Sequence, residues 1–134
     1  KRISWWGIFY INKGKPYIAN PYQYIPKSAS FAIQSGPRLI INRRIPSLKN
    51  GLAERSAIGI TDDNKLILLI TDNNRLTTDQ LAKLMRGAPL HCRDALNLDG
   101  GSSSQLIAKT LDFNLTVHGF SNVSDAILVK EKKN

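Results

Sequence analysis

The sequence predicts an α/β fold, with α+β as the alternative: a mixed β-sheet carrying at least one packed helix. Three observations point there. Short apolar and β-branched runs recur between turn residues, one segment repeats its apolar residues at helical spacing, and no linker rich in Gly, Ser or Pro divides the 134 residues. That length lies within the usual range of about 100–200 residues per domain, so residues 1–134 read as a single domain. With 42% hydrophobic and 22% charged residues, the composition is that of a chain able to bury a core, not of a disordered one.

Residues 4–11 are aromatic and β-branched, Asn12, Lys13, Gly14 and Lys15 supply a turn, and residues 16–19 return, which predicts a hairpin. Residues 20–28, with Pro21 and Pro26, are loop. Two apolar runs, 31–34 and 38–42, are separated by Ser35, Gly36 and Pro37, where the backbone must turn. Residues 43–51 hold Pro46 and Gly51 among basic residues and predict an exposed loop. A second hairpin follows, residues 56–61 and 65–71 joined by Asp62, Asp63 and Asn64. In its second arm Leu66, Ile67, Leu68, Leu69 and Ile70 run without a polar break, the pattern of a central strand buried on both faces.

The helix is signalled by Thr77 with Gln80 three residues on, the form of a capping box. Leu81, Leu84 and Met85 then repeat at helical spacing until Gly87 and Pro89 stop the run. Residues 95–98 read as a strand ending at Asp99, residues 105–110 as another, and residues 126–129 as the last.

Several classes are excluded. No run approaches the roughly 20 apolar residues that cross a bilayer as a helix, so no helical membrane span is expected. Cys92 is the only cysteine, which rules out an intramolecular disulfide or a multi-cysteine zinc site and fits a small buried apolar residue. The net charge of +9 is unevenly placed: residues 1–50 hold nine Lys or Arg and no acid, while residues 51–134 hold ten of each. Such an asymmetry fits an anionic partner or, more blandly, a solvated basic face.

The densest chemical signal is Asp99-Gly100-Gly101-Ser102-Ser103-Ser104. A carboxylate at the mouth of a strand is held by the sheet, the glycines admit a ligand close to the backbone, and successive N–H groups and hydroxyls can face an anion. The competing reading is a plain turn between strands, since Asp-Gly and Gly-Gly are favoured turn dipeptides. Neither a phosphate loop ending in Gly-Lys-Ser/Thr nor the dinucleotide glycine pattern is present.

Asn97-Leu98-Asp99-Gly100-Gly101-Ser102-Ser103 resembles the N-L-D-G-G-G-S signature of the phosphodiester glycosidase family, with Ser102 in place of the commonest third glycine. Two further segments match in order. Gln34-Ser35-Gly36-Pro37 is similar to the family's Q-S/A-G-P segment, and Arg55-Ser56-Ala57-Ile58-Gly59 to its R-T/S-A-I-G segment. The closing stretch 125–129 is also similar. The family domain extends further upstream than these motifs, so the resemblance implies that the chain carries the C-terminal part of a phosphodiester glycosidase-like domain.

The resemblance implies hydrolysis of a sugar 1-phosphodiester in a glycan or cell-envelope context, secreted or periplasmic, with a sugar phosphodiester or anionic glycan as the partner. It assigns Asp99 as the carboxylate that activates water or steadies the developing sugar cation. Arg55 and Arg38 are candidates to clamp the phosphate through their forked donors. Gly100, Gly101, Ser102 and Ser103 would form the anion cradle, and Gln34 would stand at the substrate. Arg55 has a rival reading as an ion-pair partner of Glu54 or Asp62. Asn97 alternates with Leu96 and Leu98, so it shares a strand face with Asp99 and can orient it. His118 is a candidate acid or base near neutral pH or else a loop residue, and His91 reads as structural. No cofactor is required by the sequence; a divalent metal stays open, since Asp99 and Asn97 could join ligands from elsewhere. Two other functions remain in view: a non-catalytic module for anionic glycans or cell-wall polymers, and nucleic-acid binding by Trp5, Trp6, Phe9, Tyr10 and Tyr17 beside Lys1, Arg2, Lys13 and Lys15.

Overall fold

The structure is a computed structural model that describes residues 4–133; Lys1 and Arg2 of the basic aromatic segment lie outside them. Among the described residues nine strands form three sheets, accompanied by one α-helix. β1 (Gly7–Asn12), β2 (Lys15–Ala19) and β3 (Phe31–Ser35) form one, in the order β2-β1-β3. β4 (Arg38–Ile40), β5 (Ser56–Thr61), β6 (Leu66–Ile70) and β7 (Cys92–Asn97) form the second, in the order β4-β7-β5-β6. β8 (Leu106–Lys109) pairs with β9 (Asn114–Val117), and α1 spans Thr78–Arg86. All ladders among the described residues are antiparallel, so the architecture is α+β and the parallel pairing of a mixed sheet is not seen.

Local chemistry explains the elements. The β1–β2 turn needs two residues with positive φ, and Lys13 (48°) and Gly14 (73°) supply them. α1 begins with the capping box: Thr77 Oγ1 accepts from the Gln80 amide and Gln80 Oε1 from the Thr77 amide. Leu81, Ala82 and Met85 on one face of α1 meet Leu39, Ile40, Ala57, Cys92 and Ala95 of the four-stranded sheet. A register shift between Arg38 and Ile40, opposite Leu96 and Ala95, bulges β4 so that Leu39 and Ile40 both reach this helix-side core. On the other face, Ile58, Ile60 and Leu96 pack against Phe9, Ile11, Ile18 and Ile33 of the three-stranded sheet. The four-stranded sheet is thus the middle layer, and β7 lies inside it between β4 and β5.

Two strand assignments are corrected. β6 is an edge strand with β5 as its neighbour, and Leu66 and Leu68 are 41% and 43% exposed. Ile67 and Leu69 pack toward α1, but the three-stranded sheet leaves the opposite face of β6 uncovered. Residues 126–129 form no strand: Ile127 packs on the inter-sheet core while Leu128 and Val129 stand exposed, with no ladder partner among the described residues. β9 carries no clear sequence signal, because its one buried residue is Val117.

Candidate active site at the end of β7

Three segments distant in sequence meet where β7 ends. The Asn97 amide donates to the Pro37 carbonyl (3.0 Å) and the Leu98 amide to the Ser56 carbonyl (2.8 Å), so the chain stays held on both sides as it leaves the sheet. The Asn97 side chain, 8% exposed, donates through Nδ2 to the carbonyls of Gly36 (3.2 Å) and Leu98 (2.9 Å). Asn97 Oδ1 is buried without a hydrogen-bond partner, a costly state for an amide oxygen.

Beyond it the glycines are required by the geometry. The Gly101 amide donates to the Glu54 carbonyl (2.7 Å), and a Cβ on Gly100 would stand 2.7 Å from that oxygen. Gly101 has a φ of +59°, a left-handed conformation that disfavours side chains. A short 3₁₀ turn, Gly101–Ser103, follows and closes with Ser104 donating to Gly101. Ser104 is buried and accepts from Ser56 Oγ (3.1 Å). The Ser102 carbonyl accepts from the amides of Phe120 and Ser121, and Ser102 Oγ accepts from Ser121 Oγ (2.6 Å).

Asp99 is exposed at the outer surface of this loop. Its Oδ1 accepts from the Gly100 amide (3.0 Å). The Gly100 and Gly101 amides, assigned to an anion cradle, are engaged within the protein, by Asp99 and Glu54 respectively. Ser103 stands half-buried on the same turn.

The arginine side chains bond backbone carbonyls, although the Arg55 backbone borders the loop, its Cα 3.8 Å from where a Cβ on Gly100 would stand. Arg55 Nε donates to the Leu76 carbonyl (2.9 Å) and its Nη2 to the Gly51 carbonyl, tying the start of β5 to the segment before α1. No ion pair joins Arg55 to Glu54 or Asp62 among the described residues; Asp62 pairs with Arg43. Arg38 lies across β7 on β4, with Nη2 on the Ser4 carbonyl (3.2 Å) and Nε buried without a partner. Burial pushes both guanidinium pKa values down. Gln34 lies on β3 opposite Ile8. His118 is exposed just past β9, on the segment that reaches Ser102 through Phe120 and Ser121. No group of three or more His, Cys, Asp or Glu among the described residues is placed to hold a metal, and no helix among them is long and apolar enough to cross a membrane.

Comparison with known proteins then decides the relationship. A family model described as phosphodiester glycosidase matches residues 1–130. The chain belongs to the phosphodiester glycosidase family. Its fold is similar to the catalytic domain of zebrafish N-acetylglucosamine-1-phosphodiester alpha-N-acetylglucosaminidase, in a structure auto-inhibited by that enzyme's pro-peptide. The TM-score is 0.58 at 20% identity, over 74% of this chain and 41% of that one. This chain therefore spans less than half of the zebrafish catalytic structure. No curated protein matches.

Within this family setting, sequence reasoning located the Asp99 loop and its two partner segments but missed how they are joined. The Glu54 carbonyl that seats Gly100 and Gly101 offers no side-chain signal. The Ser56–Ser104 contact links positions 48 residues apart. Ser121 fastens Ser102 from 19 residues further along the chain.

Proposed function

We propose that this chain carries the Asp99 part of a glycosidase that hydrolyses a sugar 1-phosphodiester in a glycan or cell-envelope setting, secreted or periplasmic. One observation supports the reading above others. Segments 36–37, 54–56 and 97–104 converge on one end of β7, where the exposed Asp99 carboxylate accepts from the Gly100 amide. In the reaction, a water oxygen forms a bond to the anomeric carbon as the bond from that carbon to the phosphodiester oxygen breaks. The electron pair leaves with the phosphate, and Asp99 takes the water proton. A phosphomonoester, with a second pKa of about 6, is a far better leaving group than a sugar alkoxide, so one carboxylate suffices where ordinary glycosidases use two.

The decisive measurement is turnover of an N-acetylglucosamine 1-phosphodiester by wild type and Asp99→Asn. A loss of at least about a hundredfold with an unchanged melting temperature is expected of a positioned acid–base group. Equal turnover in both would discard the assignment.

A second reading, a non-catalytic module for anionic glycans, is favoured by Arg38, which borders a cavity with its buried Nε unpartnered. Saturable glycan binding with no turnover by wild type would select it.

A further inference from the structure

We propose that the pocket between Trp5 and Arg38 is a second subsite, which binds an anionic sugar unit of the substrate on the side of β7 opposite the Asp99 loop. The inference rests on the glycosidase reading for its choice of a sugar phosphate. The pocket itself is independent of that reading.

The cavity, of about 230 Å³, is walled by Ser4, Trp5, Pro37, Arg38, Ser47 and Leu48 among others. That is smaller than the roughly 300–1,000 Å³ of drug-sized ligand sites and suits one sugar-sized unit. Its chemistry is that of a sugar-phosphate site. Trp5 lines the cavity, is 55% exposed and meets Trp6 edge-on, with ring centroids 5.7 Å apart. Arg38 brings a guanidinium to the wall. It makes one side-chain hydrogen bond among the described residues, to the Ser4 carbonyl, and its buried Nε–H is unmet. An oxyanion at the guanidinium edge would accept charge-assisted bonds in the way that backbone carbonyls accept from Arg55. Ser4 and Ser47 add hydroxyls at the wall. Every wall residue comes from positions 4–48, the part of the chain with no Asp or Glu, so no local carboxylate from that segment competes for the cation.

Topology places the pocket with respect to the site. Arg38 is on β4 and Glu54, which seats the Asp99 loop, lies two residues before the start of β5; the two strands flank β7. Arg38 and Ile58 both lie opposite Leu96, about 10 Å apart across the sheet at about 4.8 Å per strand spacing, and Glu54 is four residues before Ile58, so the pocket and the loop lie further apart than that. The 36–37 segment joins them: Pro37 lines the pocket and accepts from Asn97. A substrate reaching both would carry a second anionic group beyond the bond that is cut, as a repeating sugar-phosphate chain does.

Trp5 lines the pocket and Trp6 packs on Trp5 and on Gly36, so tryptophan fluorescence reports on the pocket and its border with the 36–37 segment. Titrating the protein with glucose 6-phosphate should give a saturable change that inorganic phosphate competes away and glucose produces only weakly. Arg38→Gln should weaken glucose 6-phosphate about tenfold or more. Should that variant fail to fold, Ser47→Glu, at an exposed position, should weaken it similarly with an unchanged melting temperature. Absence of a saturable response to glucose 6-phosphate, equal binding of glucose, or undiminished binding by folded Arg38→Gln or by Ser47→Glu would overturn the subsite. Asp99→Asn should leave this titration unchanged. Binding without turnover would therefore count against the glycosidase reading alone, and turnover without binding against the subsite alone.

Discussion

The middle sheet and the C-terminal hairpin treat their apolar residues in opposite ways. Around β7, Leu39, Ile40, Ile58, Ile60, Ala95 and Leu96 are wholly buried between α1 and the three-stranded sheet. Beyond the site loop, Ile107 is 80% exposed, Leu111 and Phe120 more so, and Leu128 74%. The Asp99 loop bridges the two regions. Its entry is bonded to Pro37 and Ser56 and its glycines to Glu54, whereas its exit is fastened to 120–121 through Ser102. The difference teaches that the carboxylate is positioned from the sheet side. The hairpin side offers hydrogen bonds to the loop but little burial beneath it.

The sharpest way to break this comparison is to truncate matched side chains in the two regions. Leu96→Ala should cost about 2–5 kcal/mol in denaturant unfolding, because it removes a wholly buried side chain from the inter-sheet core. Ile107→Ala should cost less than about 0.5 kcal/mol. Comparable losses would mean that the hairpin is part of the core after all.

Gly100→Ala tests the sheet-side seating of the loop. A Cβ 2.7 Å from the Glu54 carbonyl must push the turn outward, so turnover should fall while stability drops by about 1–3 kcal/mol. Gly14→Ala, where nothing lies within 4 Å, strains only a distant turn at φ +73° and should leave turnover intact. Full activity of Gly100→Ala would show that the loop takes its position from elsewhere.

Arg55→Lys sharpens the assignment of the arginine to the scaffold. A point charge cannot span the Leu76 and Gly51 carbonyls as the fork does, so a melting-temperature drop of a few degrees is expected, together with equal activity losses on a sugar phosphodiester and an uncharged aryl glycoside. A loss confined to the phosphodiester would return Arg55 to the phosphate.

The smallest effect concerns Cys92, 1% exposed in the helix-side core, whose thiol is pushed up to about 11 by burial. Since the folded value lies above the free-thiol 9.0, the stability it contributes is complete below about pH 9 and is lost as pH rises through about 11. Native protein at pH 8 should react with iodoacetamide far more slowly than denatured protein; equal rates would place Cys92 outside the core.

The sequence by itself determined the helix, the two hairpins of the first 71 residues and the three motif segments. Each rests on local chemistry: Thr77 and Gln80 cap each other, Lys13 and Gly14 take up the turn, and Asp99-Gly100-Gly101 needs only adjacent residues to be read. Tertiary structure decided what depends on neighbours distant in the chain. Leu66 and Leu68 have the composition of a central strand, yet nothing in the described residues covers their face of β6. The 126–129 run has strand-like residues and no ladder to join. Arg55 and Arg38 are alike in sequence, but Arg55 meets two carbonyls and Arg38 borders a cavity, because a side chain's partners come from other strands. Propensity acts within a few residues, whereas burial and hydrogen-bond satisfaction are settled between segments as far apart as Gly36 and Asn97.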